Sequence, residues 1–383
     1  MNKSGIEGHF IVKDGRKLQF GYTTGTCAAA AARAATLLLL TGHVPETVPV
    51  MTPKGIALNL EVLDARRSEG GASCAVRKYS GDDPDVTDGI LVYAEVRTKP
   101  EPGISIDGGV GVGRVTRPGL KQPVGEAAIN PVPREMIRHA VREALAECEQ
   151  VTGLSIMISV PEGVEIARKT FNPRLGIEGG ISILGTSGIV EPMSEDALLD
   201  SIALEIHQKR ALGRERLILT PGNYGTDFAV SVCCMDEDEP VRCSNYIGRS
   251  LEMAAAEGFR EVLLVGHIGK LIKLSGGIMN THSKEGDGRA ELMAACALRA
   301  GASAKLARRI LDCAATGEML QLLQENGLLE PAMKHMGKRI DYYLSHRIKD
   351  QLTVGVIVFA EIYGILCATG PALLWLVDKE RKK

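Results

Sequence analysis

The sequence predicts two domains: an N-terminal α+β domain over residues 1–190 and a C-terminal Rossmann-like α/β domain with a mostly parallel sheet over residues 191–383. Three observations predict this. The chain has 383 residues, enough for two or three domains of ordinary size. In the first half, short strand-like runs follow one another with few helices between them. In the second half, apolar strand-like runs alternate with helical patterns, the mark of βαβ units and a parallel sheet.

Taken in order, residues 27–41 read as an alanine- and leucine-rich helix. It ends at Gly42, a residue that takes the left-handed closing conformation without strain. Strand candidates follow at 48–53, 56–67, 72–80 and 90–98. The last, "ILVYAEVRT", alternates most clearly. Residues 103–120 read as a Gly-rich hairpin. Pro133 to Gln150 read as a helix with proline near its start. "LSIMISVP" (154–161) and "GISILGTSG" (180–188) read as buried strands.

Past residue 190 the pattern changes. Residues 195–213 form an amphipathic helix, and "RLILTPGNYG" (216–225) is a strand with a turn. Residues 244–259 form a helix capped by Ser244 or Asn245. "REVLLVGHIGK" (260–270) is a strand with a Gly turn. Helices are expected at 288–301, 303–314 and 339–350, and a strand at 352–360.

Composition excludes several classes. Hydrophobic residues make up 45% and charged residues 24%, with a formal net charge of −2. Such a chain has no global positive field for nucleic acid or an anionic membrane. Aromatic residues are only 4%, with Trp375 the single tryptophan, which argues against a stacking platform for single strands. The nine cysteines contain no C-x-x-C pair. The closest group, Cys233, Cys234 and Cys243, reads as buried reduced thiols, so a cytoplasmic protein is expected. Two apolar stretches resemble membrane segments. Residues 27–40 follow a Gly/Thr turn and carry Arg33, and residues 354–377 are broken by Gly364, Gly370 and Pro371. Both read as soluble core, the second as buried strands with tight turns.

Four stretches carry candidate chemistry. "GGVGVG" (108–113) has the spacing of a dinucleotide loop, but "RVTRPGL" follows it instead of a helix, so no helix N-terminus would meet a phosphate. Arg114 and Arg117 beside it have the charge to reach an anion. "SGDDPDVTDG" (80–89) fails the calcium-loop positions and reads as an Asx-type turn. "LILTPGNYGTDFA" (217–229) brings a turn to a strand's carboxyl end, where ligands bind in open α/β sheets. There Gly222 and Gly225 allow close backbone approach, Asn223 offers an amide, and Asp227 offers an acceptor. "GHIGKLIKLSGGIMNTHSKEGDGRAE" (266–291) gathers His267, Lys270, Lys273, His282, Asp287 and Arg289 at a second strand end. Histidine moves protons near neutrality, and lysine and arginine hold carboxylates. No hydrolase or Walker signature is present.

Together, "GYTTGTCAAAAARAA", "SGDDPDVTDG", "PVGEAAINPVPREMI", "TFNPRLGIEGGISILGTSGIVEPMSE", "TPGNYG" and "GHIGKLIKLSGGIMNTHS" resemble the CbiD family of cobalt-precorrin-5B C(1)-methyltransferases of anaerobic cobalamin biosynthesis. The resemblance runs in the same order from about residue 16 to about residue 360. It implies S-adenosyl-L-methionine as methyl donor and a cobalt-corrinoid as acceptor, methylated at carbon 1 to give cobalt-precorrin-6A. The acceptor's acetate and propionate arms call for scattered cations. On that reading Arg114, Arg117, Lys270 and Arg289 contact substrate, Gly222, Asn223, Gly225 and Asp227 contact the donor, and His267, His282 and Asp287 are candidate bases. A protein metal site is not required, because the cobalt arrives inside its macrocycle. A homo-oligomer and transient contact with neighbouring pathway enzymes are compatible with this reading.

The opening of the first helix fits the same picture. One threonine suffices as a cap, yet Thr23, Thr24 and Thr26 surround Gly25 at a positive helix end. They read as a cradle for a substrate carboxylate, with Cys27 lowered in pKa by the same helix end. Two alternatives stay open: a carrier that binds the corrinoid without chemistry, and a nucleotide-using enzyme with "PGNYG" as phosphate turn. The second lacks the lysine and Ser/Thr of a P-loop.

Overall fold

Helix α1 (Thr24–Thr41) organises the first half of the chain. Ala28 to Ala32, Ala34 and Ala35 are all fully buried. Side chains this small let the helix lie close to its neighbours, helix α2 (Pro131–Ala146) and a β-sheet. Thr23 caps α1, its hydroxyl accepting from the Thr26 N–H at 3.3 Å. Gly42, at φ 75°, closes it with an N–H to Leu38 O. The closing glycine is where the sequence predicts it. The start lies three residues earlier, because the threonines already belong to the helix.

The computed structural model describes residues 4–146, 153–231, 236, 239–349 and 351–372. Cys233, Cys234, Trp375 and the end of the expected helix 133–150 lie outside them. The chain is mixed α/β and divides into two compact units, Met1–Glu195 and Asp196–Lys383.

The N-terminal unit begins with a hairpin of β1 (Phe10–Lys13) and β2 (Arg16–Gln19), then β3 (Gly21–Tyr22). Strands β4 (Thr47–Met51) and β5 (Ala57–Glu61) pair antiparallel. The main sheet holds β6 (Leu63–Ser68), β7 (Gly71–Arg77), β8 (Leu91–Thr98), β9 (Gly103–Gly108) and, from later in the chain, β12 (Gly153–Ser159). Its order is β6-β7-β8-β12-β9, and only β12 and β9 run parallel. Alternation in β8 buries Val92, Ala94 and Val96, as period-2 patterning requires. The expected strand 56–67 is two strands, β5 and β6, parted at Val62, and β6 itself carries a bulge between Leu63 and Arg66.

The Gly-rich stretch is not a hairpin. Strand β10 (Gly111–Val112) pairs parallel with β14 (Gly180–Ile181), and β11 (Arg114–Val115) pairs antiparallel with β13 (Ile177–Glu178). A short helix, α3 (Gly163–Ala167), packs beside them, and β15 (Ile189–Val190) pairs with β3. The backbones meet at glycines. A Cβ on Gly111 would lie 1.7 Å from Val160 O, and one on Gly180 would lie 2.2 Å from Gly111 O. The glycines therefore serve main-chain crossing, which spacing alone cannot distinguish from a ligand loop.

The C-terminal unit alternates as predicted. It runs α4 (Glu195–Ala211), β16 (Arg216–Thr220), α5 (Asn223–Ser231), β17 (Pro240–Arg242), α6 (Ile247–Ala256) and β18 (Glu261–His267). Next come α7 (Ile268–Leu271) with a 3-10 turn to Gly276, then α8 (Arg289–Arg299), α9 (Ala304–Leu311), α10 (Thr316–Glu325) and α11 (Leu329–Ile348). Strands β19 (Thr353–Ala360) and β20 (Gly364–Thr369) end the described chain. The sheet order is β17-β16-β18-β19-β20, with three parallel pairings and β20 antiparallel at one edge. Leu217, Leu219, Val262, Leu264, Val356 and Val358 pack under the large helical layer. Ile218, Leu263, Val265, Ile357 and Phe359 face the other way, against Phe228 and Ala229 of α5.

Three expectations change here. "PGNYG" is not a turn ending a strand; its Asn223 opens α5. Ser244 and Asn245 do not cap α6, which follows Tyr246 without a side-chain cap bond, and Ser244 sits at φ 53°. Helix α10 is additional, and α11 starts ten residues before the expected 339. The apolar run after 353 forms β19 and β20 as far as it is described. Among the described residues α1 alone is long and apolar enough to cross a membrane, and 72% of it is buried inside the protein.

Candidate active site at the carboxyl edge of the C-terminal sheet

Parallel strands bring their carboxyl ends to one edge, and the loops there are where open α/β sheets bind ligands. Strand β16 delivers Thr220, then Pro221 and Gly222, the latter at φ 128°. Asn223, Tyr224 and Asp227 lie exposed on the first turns of α5, at the positive end of the helix. Thr220 and Thr226 hydroxyls meet at 2.9 Å and stitch strand to helix. Gly225 is buried, and a Cβ there would lie 2.7 Å from Val265 O. It lets α5 lie against β18 instead of admitting a ligand, which corrects its expected role.

Strand β18 ends in His267, and α7, which follows it, places Lys270 beside this turn. Lys270 Nζ donates to Pro221 O at 2.6 Å, and burial pulls its pKa below the ordinary lysine value. The His267 Nδ1 accepts from the Gly269 N–H at 3.1 Å and caps α7. Burial lowers its pKa, against the opposing charge of Glu361. The neutral ring therefore carries its proton on Nε2. With Nδ1 occupied by the Gly269 N–H, the ring's remaining nitrogen is a hydrogen-bond donor, which does not suit the base the sequence suggests. Its ring stands edge-on to Phe359 at 5.6 Å, and Phe359 stacks on Phe228 at 3.9 Å.

The segment 277–289 docks on the end of the next strand, β17. The Thr281 N–H donates to Asn245 O at 2.9 Å, and Asn280 bridges Tyr246. Buried Lys273 holds the segment closed, donating to Thr281 O at 3.1 Å and Gly286 O at 2.8 Å. Neither remaining candidate base suits that work. His282 Nδ1 accepts from the Lys284 N–H. Asp287 is gripped by Arg289 at 2.5 and 2.8 Å, and those bonds hold its carboxyl below the usual range. Such a carboxylate is a weak base.

In the N-terminal unit the threonine cradle is overturned. Thr23, Thr24 and Thr26 are 5%, 3% and 0% exposed. Thr24 Oγ1 accepts from the Leu184 N–H at 3.0 Å, and Thr26 Oγ1 donates to Gly188 O at 2.7 Å. These hydroxyls tie α1 to segment 182–188. Burial pushes the Cys27 thiol up to about 12, the reverse of the expected lowering. Arg114 grips Asp107 at 2.8 and 3.0 Å, and the stem of Arg117 lies over Gly176. The acidic loop is an internal pin. Buried Lys78 donates to Ser80 Oγ at 2.5 Å and Asp85 Oδ2 at 2.7 Å, while Asp88 Oδ1 accepts from the Ser80 N–H.

Sequence reasoning missed Glu361 and Asn245. Glu361 directly follows β19 and Asn245 closely follows β17, so the strand-end rule applied to every strand would have found them. The arrangement is that of an α/β unit whose strand-end loops gather polar and basic side chains beyond a largely parallel sheet. Comparison with known proteins narrows the class. A profile described as CbiD matches residues 11–192, and one described as CbiD, C-terminal domain, matches residues 280–370. A cobalt-precorrin-5B C(1)-methyltransferase of Ruminiclostridium cellulolyticum is 48% identical over 353 residues, covering 92% of each chain. One of Alkaliphilus metalliredigens is 44% identical, covering 98% of this chain and 99% of its own. A crystal structure of a cobalamin biosynthesis protein (cbiD) from Archaeoglobus fulgidus is 31% identical, with 74% of this chain and 87% of that chain covered and a TM-score of 0.39. The chain belongs to the CbiD family.

Proposed function

We propose that the protein methylates carbon 1 of cobalt-precorrin-5B, with S-adenosyl-L-methionine as donor and cobalt-precorrin-6A as product. One observation carries this: the 48% identity, over 92% of both chains, to a protein named for that reaction. The C-terminal unit then works as a Rossmann-like sheet, with the donor at the carboxyl ends of β16 and β18.

The residues there fit such a donor. Its carboxylate suits the N-terminus of α5 at Asn223, beside Gly222 and the ammonium of Lys270. Asp227 supplies an acceptor for its ammonium or ribose hydroxyls, and His267 Nε2–H a donor. When bound, the group supplies a methyl on a sulfonium centre. The protein's part is to orient the reactants and exclude water, and such positioning is worth ~7–11 kcal/mol. Arg114, Arg117 and Arg289 are proposed for substrate carboxylates. A guanidinium has five N–H donors; Arg114 uses three on Asp107 and Gly108 O and Arg289 two on Asp287, so each keeps donors for a further carboxylate. Mass spectrometry after incubation with both substrates tests the reading. A corrinoid gaining one methyl supports it; bound corrinoid with no gain supports a carrier instead.

A further inference from the structure

The stretch "KQPVGEAAINPVPREMIR" (121–138) has no role in the donor site, yet it lines an open cavity of about 370 Å³ in the N-terminal unit. Its polar lining is Lys121, Gln122, Glu126, Arg134, Glu135 and Arg138. That volume lies at the small end of the ~300–1,000 Å³ range of ligand clefts. It suits one substituent of a large ligand better than a whole macrocycle.

The cavity has fixed walls. Arg134 donates from Nε to Ile129 O at 3.0 Å and from Nη1 to Ile106 O at 2.9 Å, with Nη2 3.3 Å from Ala127 O. Three carbonyls thus set the plane of its guanidinium. Gln122, 8% exposed, is held by its Nε2 bond to Asn130 Oδ1 at 2.8 Å. The acidic neighbours do not close the site. Glu126 stands 3.6 Å from Arg134, and Glu135 stands 3.7 Å from Arg138, beyond hydrogen-bond length. Three cations against two carboxylates leave the lining one positive charge. That balance suits a carboxylate monoanion and disfavours a phosphate dianion.

We infer that this cavity is a subsite for one carboxylate arm of the corrinoid, gripped by Arg134 and Arg138 with Lys121 at its mouth. The inference rests on the proposed substrate, which carries acetate and propionate arms. Glu135 competes with the arm for Arg138, so removing its charge strengthens binding. A merely structural role for these side chains gives no such gain.

The test uses the full chain and cobalt-precorrin-5B, titrated by corrinoid absorbance without donor, with S-adenosylhomocysteine affinity measured separately. Lys121→Ala/Arg138→Ala weakens corrinoid binding by about tenfold or more and leaves S-adenosylhomocysteine affinity unchanged. Glu135→Gln, at a side chain 64% exposed and so safe for folding, tightens corrinoid binding. Corrinoid affinity unchanged in the double variant, or no gain in Glu135→Gln, overturns the subsite. The two readings fail separately. Wild-type methylation with flat affinities removes the subsite alone; these affinity shifts without methylation remove the reaction alone.

Discussion

The ammonium of Lys270 donates a 2.6 Å hydrogen bond to the carbonyl of Pro221, so the helix after one strand holds the loop after its neighbour. Lys270→Met keeps the apolar stem and removes both the bond and the charge. S-adenosylhomocysteine affinity, read by isothermal titration, falls by about tenfold, the worth of one charge-assisted hydrogen bond. Asn223→Ala and Asp227→Ala each weaken the same titration. Unchanged affinity in all three removes the donor from this edge.

His267 makes the C-terminal unit sensitive to acid. Burial holds its folded pKa below the ordinary 6.5. Its contribution to stability is therefore fully present above about 6.5 and is lost as pH falls through the lower folded value, because the unfolded chain takes up the proton first. Urea unfolding at pH 7 and pH 5 shows a drop in wild type that is smaller in His267→Gln. An equal drop in both proteins contradicts this assignment.

Lys78 is predicted to be structural. Its side chain is 3% exposed and pairs with Asp85. Burial raises the Asp85 carboxyl, but the Lys78 charge, its hydrogen bond and those from Thr87 outweigh that and hold it below 3.8. Lys78→Met leaves the carboxylate without its partner, which costs about 3 kcal/mol for a buried pair. In wild type this stability is present above the ordinary carboxylate value and is lost as pH falls through the depressed one. Denaturant melts of wild type and Lys78→Met at neutral pH measure the difference.

Thr24→Val and Thr26→Val test the reassigned threonines. Thr24→Val strands the Leu184 N–H, at a cost of about 1–3 kcal/mol, whereas Thr26→Val costs less, because Gly188 O keeps the Thr23 N–H at 3.1 Å. Corrinoid affinity stays at the wild-type level in both. A selective loss of corrinoid binding in a protein of wild-type stability restores the anion cradle.

The threonines show where sequence reading stops. "GYTTGT" announces a helix start, and the helix is there. Whether a hydroxyl faces a ligand or its own chain depends on segment 182–188, some 160 residues away, which no local pattern reveals. The glycines of 108–113 fail for the same reason, since their partners at 160–163 and 177–180 are distant in sequence. By contrast β16, β18 and β19 are plain in the sequence, because strands buried on both faces are unbroken apolar runs bounded by polar turns. Helix α10 and the first half of α11 are hard to read, since neither has a side-chain cap. In the candidate site, Lys270 and Asn223 lie where the strand-end rule puts them. The tautomer of His267 depends on one bond to Gly269, which only coordinates show.

The central claim is methyl transfer to one ring carbon, and a labelled methyl tests it most directly. The protein is incubated with cobalt-precorrin-5B and donor labelled with carbon-13 in its methyl group, and the corrinoid is read by carbon NMR. The account predicts a single enriched methyl on carbon 1, with one S-adenosylhomocysteine formed per corrinoid. Corrinoid that binds but carries no label, or a label on another ring carbon, contradicts it.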